Sequence, residues 1–274
     1  MLYPAELRAR DRPYISPKSR GTRAARRLAR LLLLLTILLP AGPTTAGETP
    51  TFRWSSPVEV TKTVEGPAFL LADGRTLLPG GIRLPERSRL APSALLAEFA
   101  PGGALRLAEG PLLRDRYGRL LAQLADGGGE WLQGKLVRHG LAVVDPLTAS
   151  AEIADALLAI EEEARRAAVG IWSPGGELPE SADRVRPRPL RFTLVEGRPR
   201  RGASGRVFFY LNFGADRRRD FTVRIRTARL RDFRRAGLDP EALAGQRIRV
   251  RGWIFPAGGP MIEVTDRRQI EVLE

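Results

Sequence analysis

Along residues 58–124, apolar and polar positions alternate in short runs, the pattern of strands with one buried face. Val58–Val64 alternates, residues 69–72 are apolar, and Asp73-Gly74 supplies a hairpin turn before residues 76–78. Residues 105–108 and 120–124 predict two more strands. Helical spacing occurs in three places. Ser93 is placed to cap a short helix through Phe99, and residues 130–138 predict a second that stops at Gly140. The longest covers residues 151–168, with Ile153, Ala156, Leu157, Ile160 and Ala164 as its apolar stripe and Gly170 as its stop. Strand alternation returns in residues 191–195, 206–213, 221–226, 247–253 and 261–264, with helical turns over 230–236 and 240–243. Between the two sets lies 173–189, rich in Pro, Gly and charge, which reads as a linker. The fold class is therefore mainly β, or α+β. A strand-then-helix domain over 47–172 is followed by a small β-barrel over 190–274, whose element order resembles the OB-fold.

Residues 1–46 fit neither pattern. A basic run over 20–30 precedes an apolar block at 31–39, and Thr44-Thr45-Ala46 then fits a small-x-small cleavage site before Gly47. Nine to eleven apolar residues reach about 17 Å, short of the ~30 Å that a spanning helix must cross. A signal peptide is the expectation, and with it export to the periplasm or the extracellular space. The alternative is an uncleaved amphipathic anchor that holds the protein at a membrane.

Composition narrows the chemistry. The absence of cysteine excludes disulfides, Cys-ligated zinc, iron–sulfur clusters and a thiolate nucleophile. A single histidine, His139, excludes His-pair metal sites and fits a Ser-His-Asp triad poorly; beside Gly140 it reads as a helix-end dipole partner. The formal charge of +14 is unevenly spread. Residues 1–46 carry a net +7, and residues 47–184 hold 15 basic against 19 acidic side chains. Residues 185–274 hold 21 arginines against 10 acids, a net +11, so a polyanion partner is expected of the C-terminal part.

Three blocks carry a family resemblance. They are Asp115-Arg-Tyr-Gly-Arg-Leu-Leu-Ala122, Trp131-Leu-Gln-Gly-Lys-Leu-Val-Arg-His-Gly-Leu-Ala142 and Glu161-Glu-Glu-Ala-Arg-Arg-Ala-Ala-Val-Gly-Ile-Trp172. In this order they resemble the thermonuclease, or staphylococcal-nuclease-like, family over roughly residues 58–172. The resemblance implies an OB-type five-stranded barrel flanked by three helices. It also implies calcium-assisted phosphodiester hydrolysis, with two metal-binding aspartates, a glutamate beside the attacking water and two arginines on the phosphate.

Position by position, that machinery is incomplete. The run matching the first family signature is Glu65-Gly-Pro-Ala68, which puts Pro67 at a metal-binding aspartate. The second is Leu78-Pro-Gly-Gly-Ile-Arg-Leu-Pro-Glu86, which puts Leu78 at the first arginine and Arg83 at the other aspartate. Glu86 and Arg119 match the remaining glutamate and arginine. A guanidinium about 4 Å from a divalent cation repels it by roughly 8 kcal/mol at an effective dielectric of 20, an upper bound because Arg83 can relax away. The expectation is a domain without metal-dependent activity, with no resident metal, and with Arg83 paired to Glu86 in the vacated pocket. For residues 115–119 the favoured reading is a turn that braces the barrel. The run Glu161-Glu162-Glu163 reads as a solvated helix face.

In the C-terminal part, alternation places Val223, Ile225, Ile248 and Val250 toward a core. It sends Arg224, Arg226, Arg247, Arg249 and Arg251 to the opposite face. Phe208 and Tyr210 share one strand face. With Tyr117, these aromatics and arginines are the candidate contacts for nucleic acid or another polyanion, by stacking on bases and pairing with phosphates. Two other readings stay open: an active nuclease with an altered site, and an envelope module that binds protein or glycan.

Overall fold

The computed structural model describes residues 50–64, 68–85, 103–110, 113–176, 178–186, 191–216 and 218–273. The expected signal segment, the helix expected from Ser93, and Glu65, Pro67 and Glu86 lie outside them. The first part contributes strands β1 (Val58–Val64), β2 (Ala68–Leu71), β3 (Thr76–Pro79), β4 (Ile82–Arg83) and β5 (Ala104–Leu107). It adds β6 (Leu113–Arg114), β7 (Leu120–Ala122), β8 (Leu124–Ala125) and β9 (Val143–Val144). Seven of these form one sheet in the order β6-β7-β3-β2-β1-β5-β8, and β4 pairs with β9. Curled sheets with a few helices match the mainly-β class expected of an OB-type, nuclease-like fold.

Two helices pack beside this sheet, α1 (Leu132–Arg138) and α2 (Ala151–Arg166). The Ser150 hydroxyl accepts a hydrogen bond from the Ile153 amide at the start of α2, and Arg165 and Arg166 sit in its last turn, where the helix dipole favours cations. Leu157 and Ile160 join Leu77, Leu105, Leu120 and Leu124 in the first core. The backbone at the end of α1 touches the backbone just after α2. A Cβ on Gly140, whose φ is +62°, would lie 2.3 Å from the Val169 carbonyl oxygen, so only glycine fits there.

The second part contributes β10 (Glu180–Ser181), β11 (Arg191–Gly197), β12 (Arg201–Ser204), β13 (Phe208–Asn212) and β14 (Thr222–Arg226). Helix α3 (Leu230–Arg235) precedes β15 (Ile248–Ala257), β16 (Gly259–Val264) and β17 (Ile270–Val272). The strand order is β10-β11-β15-β16-β14-β13-β12, with β17 also on β15. The stretch read as a linker is partly built into this sheet. Glu180–Ser181 pairs in parallel with β11, and Ala182 and Val185 are buried in the second core.

Strand β15 corrects the expected exposure of its arginines. Alternation does put Ile248, Val250 and Ile254 in the second core and Arg249 and Arg251 on the other face. That face, however, lies against the first part of the chain. Arg251 is fully buried. Its guanidinium donates to the Glu161 carboxylate at 2.7 and 3.2 Å, to the Val144 carbonyl at 3.0 Å, and to Glu271. Glu161, read as solvated, is equally buried and also accepts from the Val144 amide at 2.8 Å. Around this pair, Arg165 reaches Glu271 at 2.7 Å and Arg249 reaches it at 3.0 Å. Farther out, Arg268 on the second part binds Asp155 of α2 at 2.7 Å. Neither Arg251 nor Arg249 is thus available as a surface contact; Arg249 retains only 11% side-chain exposure.

The cluster sets its own protonation. Burial pushes the Glu271 carboxyl up, but the guanidiniums of Arg251, Arg165 and Arg249 outweigh it and hold the pKa at about 2, below the ordinary 4.5. Burial likewise opposes the charge on Arg251, and Glu161 and Glu271 reverse the effect, so its pKa is raised. Removing one partner of a buried pair strands the other. Arg251→Ala is expected to lower unfolding stability by about 3–5 kcal/mol in urea titrations at neutral pH. Because Glu271 is depressed in the folded state, its stabilisation is complete above pH 4.5 and is lost as pH falls toward 2. Acid unfolding should therefore steepen across that window in the wild type and flatten in Glu271→Gln.

Candidate functional site

Arg251 lies two residues before Trp253, and both point to the same side of β15. The anchor that buries the one therefore positions the other. Trp253 meets Phe192 edge-on from the neighbouring strand at 6.0 Å and stays 43% exposed. It forms one wall of a cleft of about 470 Å³. The opposite walls come from the first part of the chain: Leu78, Arg83, Arg116, Tyr117, Arg119 and Thr148 among them.

Arg83 sits at the centre of this arrangement. Just before it, the Gly80-Gly81 backbone presses against α2 and the residues leading into it: a Cβ on Gly80 would lie 2.8 Å from the Thr148 carbonyl oxygen, and one on Gly81 2.7 Å from Leu157 of the helix. The Gly81 amide donates to the Thr148 hydroxyl at 2.9 Å, and the Asp145 amide donates to the Gly81 carbonyl at 2.8 Å. These contacts bring the Arg83 guanidinium to the Asp145 carboxylate at 2.8 Å, with Asp145 almost completely buried. The guanidinium also lies 5.3 Å from the centre of the Trp253 ring, within cation–π range.

The other rim is a tight turn over residues 115–119. The Asp115 carboxylate accepts from the Tyr117 and Arg119 amides at 2.9 and 3.0 Å and from the Arg119 guanidinium at 2.7 Å. Slight burial opposes the Asp115 charge, but the Arg119 side chain and the two amides hold its pKa below the ordinary value. Gly118 takes the left-handed conformation that closes the turn, with φ of +77°. Tyr117 is thereby pushed into solvent, 67% exposed, with the Arg116 and Arg119 guanidiniums 4.8 and 5.2 Å from its ring centre. Arg116 has no acidic partner among the described residues.

Residues 103–174 match the family model described as staphylococcal nuclease homologue. Over that stretch the chain is similar to a staphylococcal nuclease homologue domain. No curated protein matches the chain. The matched stretch takes in the 115–119 turn and α2, and it begins after Leu78 and Arg83. Such a domain points to a nuclease-like or nucleic-acid-related role.

The resemblance read from the sequence implies calcium and puts Arg83 at a metal-binding aspartate; in the structure the Arg83 guanidinium is tied to Asp145. Leu78, which the same resemblance puts at the first arginine, is buried and apolar. Among the described residues no three His, Cys, Asp or Glu side chains are gathered to hold a metal ion. The expected Arg83–Glu86 pair involves a residue outside the described set; the partner that Arg83 has is Asp145.

The remaining candidates divide by charge pairing. The strand register places Phe208, Tyr210, Arg224 and Arg226 on one face, as the alternation implies. Arg224 binds Glu263 at 2.9 Å and lies 4.4 Å from the Phe208 ring, and Arg226 lies 3.5 Å from the same glutamate. Arg247 is held by Glu196 at 2.9 Å. These side chains serve one another first. Sequence reasoning did not single out Trp253 or Asp145. Trp253 carried a signal, being a large apolar residue in phase with the arginines rather than with the core. If Arg83 neutralises Asp145, then Arg83→Ala leaves a buried carboxylate unpaired. A loss of about 1–3 kcal/mol is expected in urea unfolding, and Arg83→Lys should recover part of it.

Proposed function

We propose that this protein is exported and binds single-stranded nucleic acid in the Trp253–Tyr117 cleft without hydrolysing it. The observation that carries this reading is the Arg83 guanidinium held between Asp145 and Trp253, at the place where catalysis in the family needs a metal. The guanidinium, 30% exposed, can still meet a phosphate, while the Asp145 carboxylate it ties up is closed to a metal ion. Arg116 adds charge along the rim beside the Asp115–Arg119 pair, and two exposed aromatic faces stand across the cleft. Rings of this kind stack on unpaired bases, whereas duplex bases are already stacked on one another, so a single strand is the better partner. Export rests on the basic and apolar pattern of residues 1–46 and their small-residue cleavage site.

Purified protein incubated with single-stranded DNA or RNA and Ca²⁺ or Mg²⁺ should leave the strand intact. Fluorescence anisotropy with a labelled oligonucleotide should give an affinity that falls with salt. The log–log slope should be negative, by about 0.7 for each arginine that meets a phosphate. Joint replacement Arg116→Ala and Tyr117→Ala should weaken binding roughly tenfold. Metal-dependent cleavage that Glu86→Gln abolishes would contradict the proposal, as would binding indifferent to salt.

A further inference from the structure

A second cavity lies wholly within the C-terminal part and shares no lining residue with the cleft. It measures about 390 Å³, in the lower range for small-molecule sites, and opens on the face of the sheet opposite the second core. The strand register explains what lines it. Arg201, Asn212, Thr222 and Met261 stand opposite one another on β12, β13, β14 and β16, and form one row across the sheet. Ala203 and Tyr210 belong to the next row. The turn between β15 and β16, at Ala257 and Gly258, closes one side, and Arg218 comes from the loop before β14.

Asn212 is the unexpected member. The residue is 97% removed from solvent, yet its buried Oδ1 has no hydrogen-bond partner. A buried carboxamide oxygen without a partner is costly, and the site would hold a leucine or valine at no such cost. The amide offers one donor group and one acceptor to the cavity, whichever way it is turned. Arg201 and Arg218 line the same cavity, and neither has a carboxylate partner among the described residues, so both guanidiniums can meet an anion there.

We propose that this cavity is a nucleotide-binding pocket. The guanidiniums of Arg201 and Arg218 take the phosphate, the Asn212 carboxamide pairs with the base edge, and the Tyr210 ring and Met261 flank the base. Inorganic phosphate would satisfy the arginines and leave the amide unpaired; an uncharged base would do the reverse. A nucleotide satisfies both. The pocket itself stands on Asn212, Arg201 and Arg218, and the choice of a nucleotide among anions with a hydrogen-bonding ring rests on the nucleic-acid reading above. The same chemistry is offered by a free nucleoside monophosphate and by one residue of a strand.

The test is calorimetric titration of the mature chain with adenosine and uridine 5′-monophosphate, inorganic phosphate and a single-stranded oligonucleotide. A nucleoside monophosphate should bind saturably and at least tenfold more tightly than phosphate. Arg201→Ala with Arg218→Ala should cost tenfold or more. Asn212→Asp, nearly isosteric but acidic, should abolish nucleotide binding while thermal unfolding shows the fold intact; should that variant not fold, Asn212→Ser serves. If Asn212→Asp also weakens the oligonucleotide, the pocket takes a residue of a strand; if it does not, the pocket takes a free nucleotide. Equal affinity for phosphate and nucleotide, or binding unaffected by the Asn212 and arginine variants, overturns the pocket. An oligonucleotide held only through Arg116 and Tyr117 would then leave the cleft reading standing, and a nucleotide bound without any strand binding would do the opposite.

Discussion

The buried pair between Arg251 and Glu161 is the constraint from which the rest of the site follows. Arg251 reaches from the C-terminal sheet into the flank of α2, and Glu161 meets it while also holding the Val144 amide. Two charges removed from water this completely are tolerable only when each has well-placed partners. Glu271, Arg165 and the Val144 carbonyl supply them. Such a cluster permits one relative placement of β15 and α2, because a small shift would leave charges buried and unpaired. That placement puts Trp253, two residues on, beside Arg83. Without the anchor the cleft would lose a wall.

The same cluster changes what the large positive charge of the C-terminal part means. Most of its arginines in or beside regular strands are tied to carboxylates: Arg191 to Glu180, Arg247 and Arg249 to Glu196, and Arg224 to Glu263. Their work is structural. The cations left without acidic partners include Arg116 on the cleft rim and Arg201 and Arg218 at the cavity. In these two places arginines without acidic partners line a concave surface. Each place also has an exposed or half-exposed ring, Tyr117 and Trp253 in one and Tyr210 in the other. That pairing of charge with aromatic surface suits a ligand of phosphates and bases better than a featureless polyanion.

Much of the first part was legible from the chain alone. Alternation in 58–64 and the Asp73-Gly74 turn mark β1 to β3, and the 3.6-residue stripe marks α2, because each element has one clearly apolar face. The short strands escaped. Glu180–Ser181 is two residues long in a Pro-rich stretch, and β12 is exposed along its whole length, so neither has an apolar face to detect. For the arginines of β15 the period correctly assigned the face, but a period cannot say whether that face meets water or another layer. Glu161 failed for the same reason, since a run of three glutamates on a helix looks solvated until the opposing arginine is known. Trp253 had a signal in its phase with the arginines of β15. Asp145 and Asn212 had none, because their meaning depends on a neighbour 62 residues away or on a missing partner.

The central claim is that a cleft which lost its metal chemistry became a seat for a single strand. The most direct measurement is photo-crosslinking of a 5-bromouridine oligonucleotide to the protein in Ca²⁺, with both the crosslinked residues and the strand length read by mass spectrometry. The account predicts a full-length strand joined to Tyr117 or Trp253. A shortened strand, or crosslinks confined to residues outside the cleft and the Tyr210–Asn212 cavity, would contradict it.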